Sequence, residues 1–89
     1  MTPDLDNSIN QLQELYPKKY IEKPSYSFIE GSNGWQCDCL CNDQDGYGVA
    51  ASKTLAKKKA SYMVLVLLLK SAGCCEEEWE NRMYRMLRE

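Results

Sequence analysis

Apolar positions near the start of the chain recur at the three- and four-residue intervals of a helix. This first stripe consists of Ile9, Leu12, Leu15 and Tyr16. Ser8 and Gln11 match a capping box, in which the hydroxyl and the amide each bond a free backbone N–H at the helix start. Pro17 disfavours helical geometry at the residue before it, so we expect the helix to end near Tyr16.

The next part of the chain alternates apolar and polar residues, which is typical of half-buried strands. Strands are predicted over Ser25–Glu30, Trp35–Cys41 and Tyr47–Ala51. The segments Gly31–Gly34 and Asn42–Gly46 between them are rich in turn-forming residues. Three consecutive strands joined by short loops predict an antiparallel meander.

A long helix is predicted to follow, with Ser52 as its N-cap and an end near Ser71, just before Gly73. Its apolar stripe consists of Leu55, Ala56, Ala60, Met63, Val64, Leu67 and Leu68. A further amphipathic helix is predicted over residues 75–88, with an apolar side formed by Trp79, Met83, Met86 and Leu87. Because a helix this short is marginal alone, we expect that side to pack on this domain or on a second copy.

The predicted fold class is α+β: a three-stranded antiparallel sheet with two helices on one face, in the order α-β-β-β-α, plus the additional C-terminal helix. A chain of 89 residues fits one such domain. We expect a flexible N-terminus at residues 1–5, the domain at 6–73 and the C-terminal helix at 74–89. The predicted core consists of Leu12, Leu15, Phe28, Trp35, Cys37, Cys39, Ala56, Ala60, Val64 and Leu67.

Three of the five cysteines alternate along the second predicted strand. Cys37, Cys39 and Cys41 should therefore share one face, where free cysteine packs as a small apolar residue. A metal site completed by Cys74 or Cys75 is the alternative, but the spacing differs from the C-x-x-C pattern of structural zinc sites. We predict no metal and no cofactor.

The odd cysteine number, without a secretory signal, favours a reducing compartment, and we expect a cytoplasmic protein. The longest apolar run, Tyr62–Leu69, is too short to span a bilayer, so no membrane association is predicted. The chain has no histidine, and no nucleophile–base pair is recognisable, so we expect a protein that is not an enzyme.

Charge is divided unevenly along a chain whose net charge is only −2. Residues 1–49 carry a net −5 and residues 74–89 a net −2, whereas residues 50–73 carry five lysines and no acidic residue. Lys53, Lys57 and Lys58 fall in the first turns of the long helix, where free N–H groups and the helix dipole already favour an anion. A phosphate-binding site and a merely solvated lysine face are both compatible with this pattern.

The segment from Gly48 to Lys57 resembles the double-stranded RNA-binding domain family. In that family a strand ending in glycines leads into Ser-Lys-Lys-x-Ala-Lys at the start of the last helix. This signature is matched by Ser52, Lys53, Ala56 and Lys57, with Thr54 in place of the middle lysine. Leu12-Gln13-Glu14-Leu15 is similar to the family's first-helix segment, and the resemblance covers roughly residues 6–73.

The resemblance implies shape-selective, sequence-independent binding of double-stranded RNA. Asn10 and Glu14 would reach one minor groove, and the hairpin residues Ser32 and Asn33 a second one. The residues that would contact phosphates between the grooves are Lys53, Lys57 and Lys58. Thr54 belongs to the same RNA-binding set, but in place of the family's middle lysine it removes one phosphate contact. The short hairpin lacks the family's Gly-Pro-x-His segment, which should weaken binding.

Some members of the family serve instead as protein-interaction modules, often as dimers. The alternative function is therefore a protein-interaction or dimerisation domain of the same fold, acting through Trp79, Met83, Met86 and Leu87. Domains of this family are also often attached to ribonucleases. The sequence does not determine the natural RNA, or whether the chain is a fragment of a larger protein.

Overall fold

A computed structural model describes residues 2–88 of the chain, except for the side chain of Leu87. The helices in this range are α1 (Ser8–Leu15), α2 (Lys53–Ser71) and α3 (Glu77–Leu87), and the strands are β1 (Ser25–Gly31), β2 (Gly34–Cys41) and β3 (Gln44–Ala50). The strands form one antiparallel sheet in the order β1-β2-β3. The α+β architecture with an additional C-terminal helix is confirmed.

The inner face of the sheet packs against α2 through unusually small residues. Cys37 and Cys39 of β2 are fully buried, and Gly46 and Gly48 of β3 lie directly beneath the helix. A Cβ atom at Gly48 would lie 2.5 Å from the backbone oxygen of Ala56. The helix therefore rests on the strand backbone at a separation that only glycine permits.

The burial of Cys39 confirms the predicted register of β2, because a slip of one residue would turn it to the open face. The core prediction is also confirmed, with residues either buried or packed at the edge of the core. The buried ones are Leu12, Cys37, Cys39, Ala56, Ala60 and Val64, and the partly buried ones are Leu15, Phe28 and Trp35. Leu67 differs from the prediction, because it packs against a second cluster between α2 and α3.

The placement of Leu55 in the core stripe is wrong, since its side chain is 37% exposed. Ala56 and Ala60 face the sheet, and successive helical residues are rotated by about 100°. Leu55 therefore points past the edge of the contact with the sheet.

The start of α1 also differs from the prediction. Ser8 does not cap the helix, because a 3₁₀ turn at Leu5–Asn7 precedes it and places Ser8 inside α1. The Oγ atom of this fully buried serine lies 2.8 Å from the carbonyl oxygens of both Leu5 and Lys58, so the two carbonyls share its single O–H donor. Gln11 directs its amide to the N-terminal segment, so the capping-box prediction is wrong. Ser8 instead joins α1 to α2.

The connection between β2 and β3 is shorter than predicted. Asn42 and Asp43 form a two-residue turn with φ angles of 51° and 67°, a conformation that these residue types tolerate. β3 consequently begins at Gln44 rather than at Tyr47. The predicted turn through Gly46 is wrong because that glycine serves the contact with α2 instead.

A second apolar cluster joins α3 to α2, separate from the cluster beneath the sheet. Tyr62 and Val66 of α2 contribute to it, and Met83 of α3 is only 3% exposed within it. The central part of α2 is therefore buried on more than one side. Burial on more than one side explains the run of consecutive apolar residues Tyr62–Leu69. A helix buried on one side only would need apolar residues only at intervals of three and four.

The close approach of α2 to β3 predicts that Gly48→Ala is strongly destabilising. The added methyl would meet the backbone of Ala56 and Ala60, which cannot move without displacing the helix. We expect a loss of about 1–3 kcal/mol in the free energy of unfolding, measured by urea denaturation. Gly31→Ala is the matched control: its Cβ would meet nothing closer than 3.7 Å, and the change should be within about 0.5 kcal/mol. Equal effects of the two substitutions would contradict this account of the packing.

Candidate nucleic-acid interface

The N-terminus of α2 is capped as predicted from the sequence. Ser52 has an extended backbone, and its Oγ accepts a hydrogen bond from the N–H of Leu55 at 3.1 Å. The remaining free N–H groups of the first turn and the positive end of the helix dipole lie at this end of the helix. Lys53 and Thr54 are exposed here, and Lys57 and Lys58 follow one turn later, half-buried.

Lys53 and Lys57 extend over aromatic rings of the sheet, an arrangement that the sequence analysis missed. The Nζ atom of Lys53 lies 4.5 Å from the ring centre of Phe28 and 5.2 Å from that of Trp35. The Nζ atom of Lys57 lies 4.6 Å from the ring centre of Tyr26. Each distance is within the range of a cation–π interaction. The available sequence signal was the i,i+4 spacing of the lysines on a helix predicted to pack on a sheet whose first strand is rich in aromatic residues.

The two other elements proposed to contact RNA lie near the same end of α2. The hairpin turn between β1 and β2 consists of the exposed residues Ser32 and Asn33, and Trp35 stands just after it, beneath Lys53. On the other side, the buried hydroxyl of Ser8 bonds the carbonyl oxygen of Lys58 and fixes α1 beside the helix. The structure thus brings two segments that are distant in sequence, α1 and the hairpin, to the N-terminal part of α2.

The polar residues of α1 singled out in the sequence are both exposed. Asn10 donates a hydrogen bond from Nδ2 to Oδ1 of Asn7 at 3.1 Å. Glu14 follows four residues later, so the two side chains project from the same side of α1. An amide and a carboxylate at this spacing can donate to and accept from hydroxyl groups along a groove.

The two lysines that extend over the rings are not ion-paired in the described part of the chain, although Glu30 lies on the same face of β1 and is paired with Trp35 in the sheet register. Among residues 2–88, no carboxylate forms an ion pair with Lys53 or Lys57. Lys70, near the opposite end of the helix, is paired with Glu80 of α3. Lys59 donates to the carbonyl oxygen of Val49 at 3.2 Å and so lies against the edge of β3. The structure therefore separates two accessible cations from the paired ones.

The chain is similar to part of a known nuclease. Ribonuclease 3 of Roseburia hominis is 35% identical to it over 74 residues. The match covers 75% of this chain but only 21% of that protein, so the chain spans about a fifth of the relative's length. No protein-family model matches the chain, and no solved structure matches it.

The predicted apolar side of α3 packs against the chain itself. Met83 is buried against α2, and Trp79 and Met86 are half-buried around it. The side chain of Leu87, which was predicted to belong to the same surface, lies outside the described residues. Arg82 extends over the ring of Tyr62, with its Cζ atom 5.8 Å from the ring centre.

The cysteines of β2 lie in the core. Burial raises the pKa of Cys37 to about 11 and that of Cys39 to about 12, and it also raises the pKa of Cys41. All five cysteines are free, and in the described part of the chain no three His, Cys, Asp or Glu side chains are grouped to hold a metal ion. Among the described helices, none has both the length and the apolar character needed to span a bilayer.

The raised thiol pKa values predict a loss of stability at alkaline pH. Below the ordinary thiol pKa of 9.0 the group is neutral in both states, whereas at higher pH the thiol ionises only in the unfolded chain. The free energy of unfolding should therefore fall as pH rises from about 9 toward the folded pKa of Cys39, about 12. Urea denaturation of Cys39→Ala should give a pH profile shallower by about 1 kcal/mol per pH unit in this window. Parallel profiles for the variant and the original chain would contradict the assignment.

Proposed function

We propose that the chain is a double-stranded RNA-binding module that recognises the duplex by its shape. The observation that carries the proposal is the assembly of α1, the β1–β2 hairpin and two accessible lysines around the N-terminus of α2. The similarity to Ribonuclease 3, a protein that acts on RNA by its name, supports the same substrate class. We further propose residues 6–73 as the binding domain, with residues 74–89 as a helical addition.

The physical basis is the form of duplex RNA. Its deep, narrow major groove hides the base edges, while the shallow minor groove displays 2′-hydroxyl groups, so recognition depends on hydroxyls and phosphates rather than on sequence. In the proposed mode, Asn10 and Glu14 contact hydroxyls of one minor groove, and Ser32 and Asn33 contact the next.

The lysines would contact the phosphates between these two minor grooves. Lys53 and Lys57 lie one helical turn apart, about 6 Å along the axis, and can each meet a separate phosphate. Lys58 follows Lys57 in the same turn of α2, and Thr54 offers a hydroxyl where the family's middle lysine would supply a charge. This difference should lower affinity without changing the geometry of binding.

The module is proposed to bind rather than to catalyse. A chain without histidine offers no imidazole for proton transfer, and the proposed site consists of amide, carboxylate, hydroxyl and ammonium groups suited to recognition. The activity of the much longer Ribonuclease 3 is not part of this proposal.

The alternative, a dimerisation module acting through α3, has less support. Met83 already packs on α2, so the stripe that would form the interface is largely used within the chain. The edge of β3 is also obstructed, because its Tyr47 N–H contacts the sulfur of Met63 at 3.3 Å and its Val49 carbonyl accepts from Lys59. A dimeric mass in sedimentation, with no binding of duplex RNA, would favour the alternative.

The first test replaces the two phosphate-contacting lysines. Lys53→Ala with Lys57→Ala should weaken binding to a blunt duplex of about 20 base pairs at least tenfold, or by about 1–2 kcal/mol, because charge-assisted contacts are lost. For the original chain, the slope of log affinity against log salt concentration should be about −3 to −4. For the double variant this slope should be shallower by about two units. Lys18→Ala with Lys23→Ala removes the same charge from the segment between α1 and β1 and should leave most of the affinity. Equal effects of the two double variants would contradict the site.

The second test concerns the choice of RNA over DNA. Asn10→Ala or Glu14→Ala should reduce the ratio of RNA to DNA affinity while leaving the salt dependence nearly unchanged, because these side chains would contact 2′-hydroxyls. Competition titrations with RNA and DNA duplexes of the same sequence measure the ratio. Glu22→Ala removes an exposed carboxylate outside the site and is the control. An unchanged ratio in the α1 variants would exclude the proposed role of this helix.

A further inference from the structure

Three aromatic side chains on the inner face of the sheet, Tyr26, Phe28 and Trp35, form what we call the aromatic shelf. α2 covers the cysteines of β2 and the glycines of β3, so the rings on β1 and at the start of β2 emerge beside the helix. They are partly buried and pack against the main apolar cluster. The shelf is therefore fixed by the core on one side and reached by α2 side chains on the other.

The shelf is held in place by contacts that do not involve the lysines. The hydroxyl of Tyr26 lies 2.9 Å from Oγ of Ser61, a buried residue of α2, and forms a hydrogen bond with it. In the sheet register Phe28 is paired with the fully buried Cys37. The rings consequently have few alternative positions, and a cation resting on them is restricted too.

Lysine side chains lose considerable rotamer freedom when they bind a phosphate, a cost of up to about 2 kcal/mol each. A neutral ring can restrict the ammonium group in advance without cancelling its charge, whereas a carboxylate partner would cancel it. Lys53 is still exposed while in contact with Phe28 and Trp35, so N–H groups facing away from the rings remain available to a ligand.

We propose that the aromatic shelf positions the two lysine ammonium groups for contact with RNA phosphates. This inference rests on the proposed function and adds positioning residues to it. Lys53 is held beside the hairpin turn by two rings, and Lys57 is held one turn further along α2 by one ring. This preorganisation offsets part of the affinity lost with the lysine that Thr54 replaces.

The experiment compares two double variants that differ in whether the rings remain. Tyr26→Leu with Phe28→Leu removes two rings and keeps apolar bulk, while Tyr26→Phe with Phe28→Tyr exchanges them and keeps both faces. Both remove the hydroxyl at position 26, so loss of the bond to Ser61 is matched. If the leucine pair does not fold, Phe28→Leu alone is compared with Phe28→Tyr, since no hydrogen bond to the Phe28 side chain is involved.

Two readouts are taken for each variant. In the free protein, NMR should show the methylene protons of Lys53 and Lys57 shifted upfield by the rings in the original chain and in the exchanged variant. In the leucine pair the shift should be lost at Lys57 and reduced at Lys53, where Trp35 remains. In titrations with duplex RNA, the leucine pair should bind about five- to twentyfold more weakly, since each lost contact accounts for about two- to fivefold. The salt dependence should stay within about half a unit of the original, because no charge is removed.

The outcomes separate this inference from the function on which it rests. Equal affinity of the leucine pair and the exchanged variant would overturn the positioning role. Tighter binding by the leucine pair than by the exchanged variant would also overturn the positioning role. It would show that contact with the rings competes with contact between the lysines and phosphate. If the original chain shows the upfield shifts but binds no duplex RNA at about 50 mM salt, the proposed function fails and the positioning role falls with it.

Discussion

The contact between α2 and the backbone of β3 is the constraint on which the rest of this structure depends. Gly46 and Gly48 leave no room for side chains, so the helix axis is set by the strand itself rather than by interdigitating side chains. Small cysteines on β2 extend the same close contact. A helix placed this near two of the strands leaves the larger side chains of β1 at its flank. The small residues on the inner face of β2 and β3 therefore place the large side chains of β1 beside the first turns of α2.

The proposed binding surface follows from that geometry. Because the rings of β1 lie at the flank of α2, lysines on the same flank reach them. Among the described residues, no carboxylate forms an ion pair with these two lysines, although Glu30 lies on the same face of β1. Ser8 then fixes α1 to α2 through the carbonyl of Lys58. An acidic chain can in this way present a locally positive surface, since screening confines electrostatic attraction to about 10 Å.

The addition of α3 gives α2 a second apolar contact. A domain of this size buries a smaller fraction of its surface than a larger one, so a further cluster around Tyr62, Val66 and Met83 contributes to its stability. The ion pair between Lys70 and Glu80 lies at the far end of the α2–α3 contact, on an exposed surface where such a pair contributes little to stability. This end of the chain is stabilised separately from the end proposed to bind RNA.

The sequence by itself determined the element order, the buried face of β2, and the capping of α2 by Ser52, because each depends on periodicity or on local hydrogen bonding. Only the tertiary structure decided the roles of Ser8, Gly46 and the two-residue turn before β3. A serine before an apolar stripe, such as Ser8, can either cap its own helix or bond to a second helix. A glycine in a polar segment, such as Gly46, can either form a turn or allow a helix to approach the strand closely. Which role Ser8 and Gly46 take depends on which distant segment of the chain packs against them. The position of Lys53 over its rings depends on tertiary packing in the same way. The local sequence pattern specifies backbone geometry, whereas the contacts of Ser8, Gly46 and Lys53 form only when distant segments pack together in the folded chain.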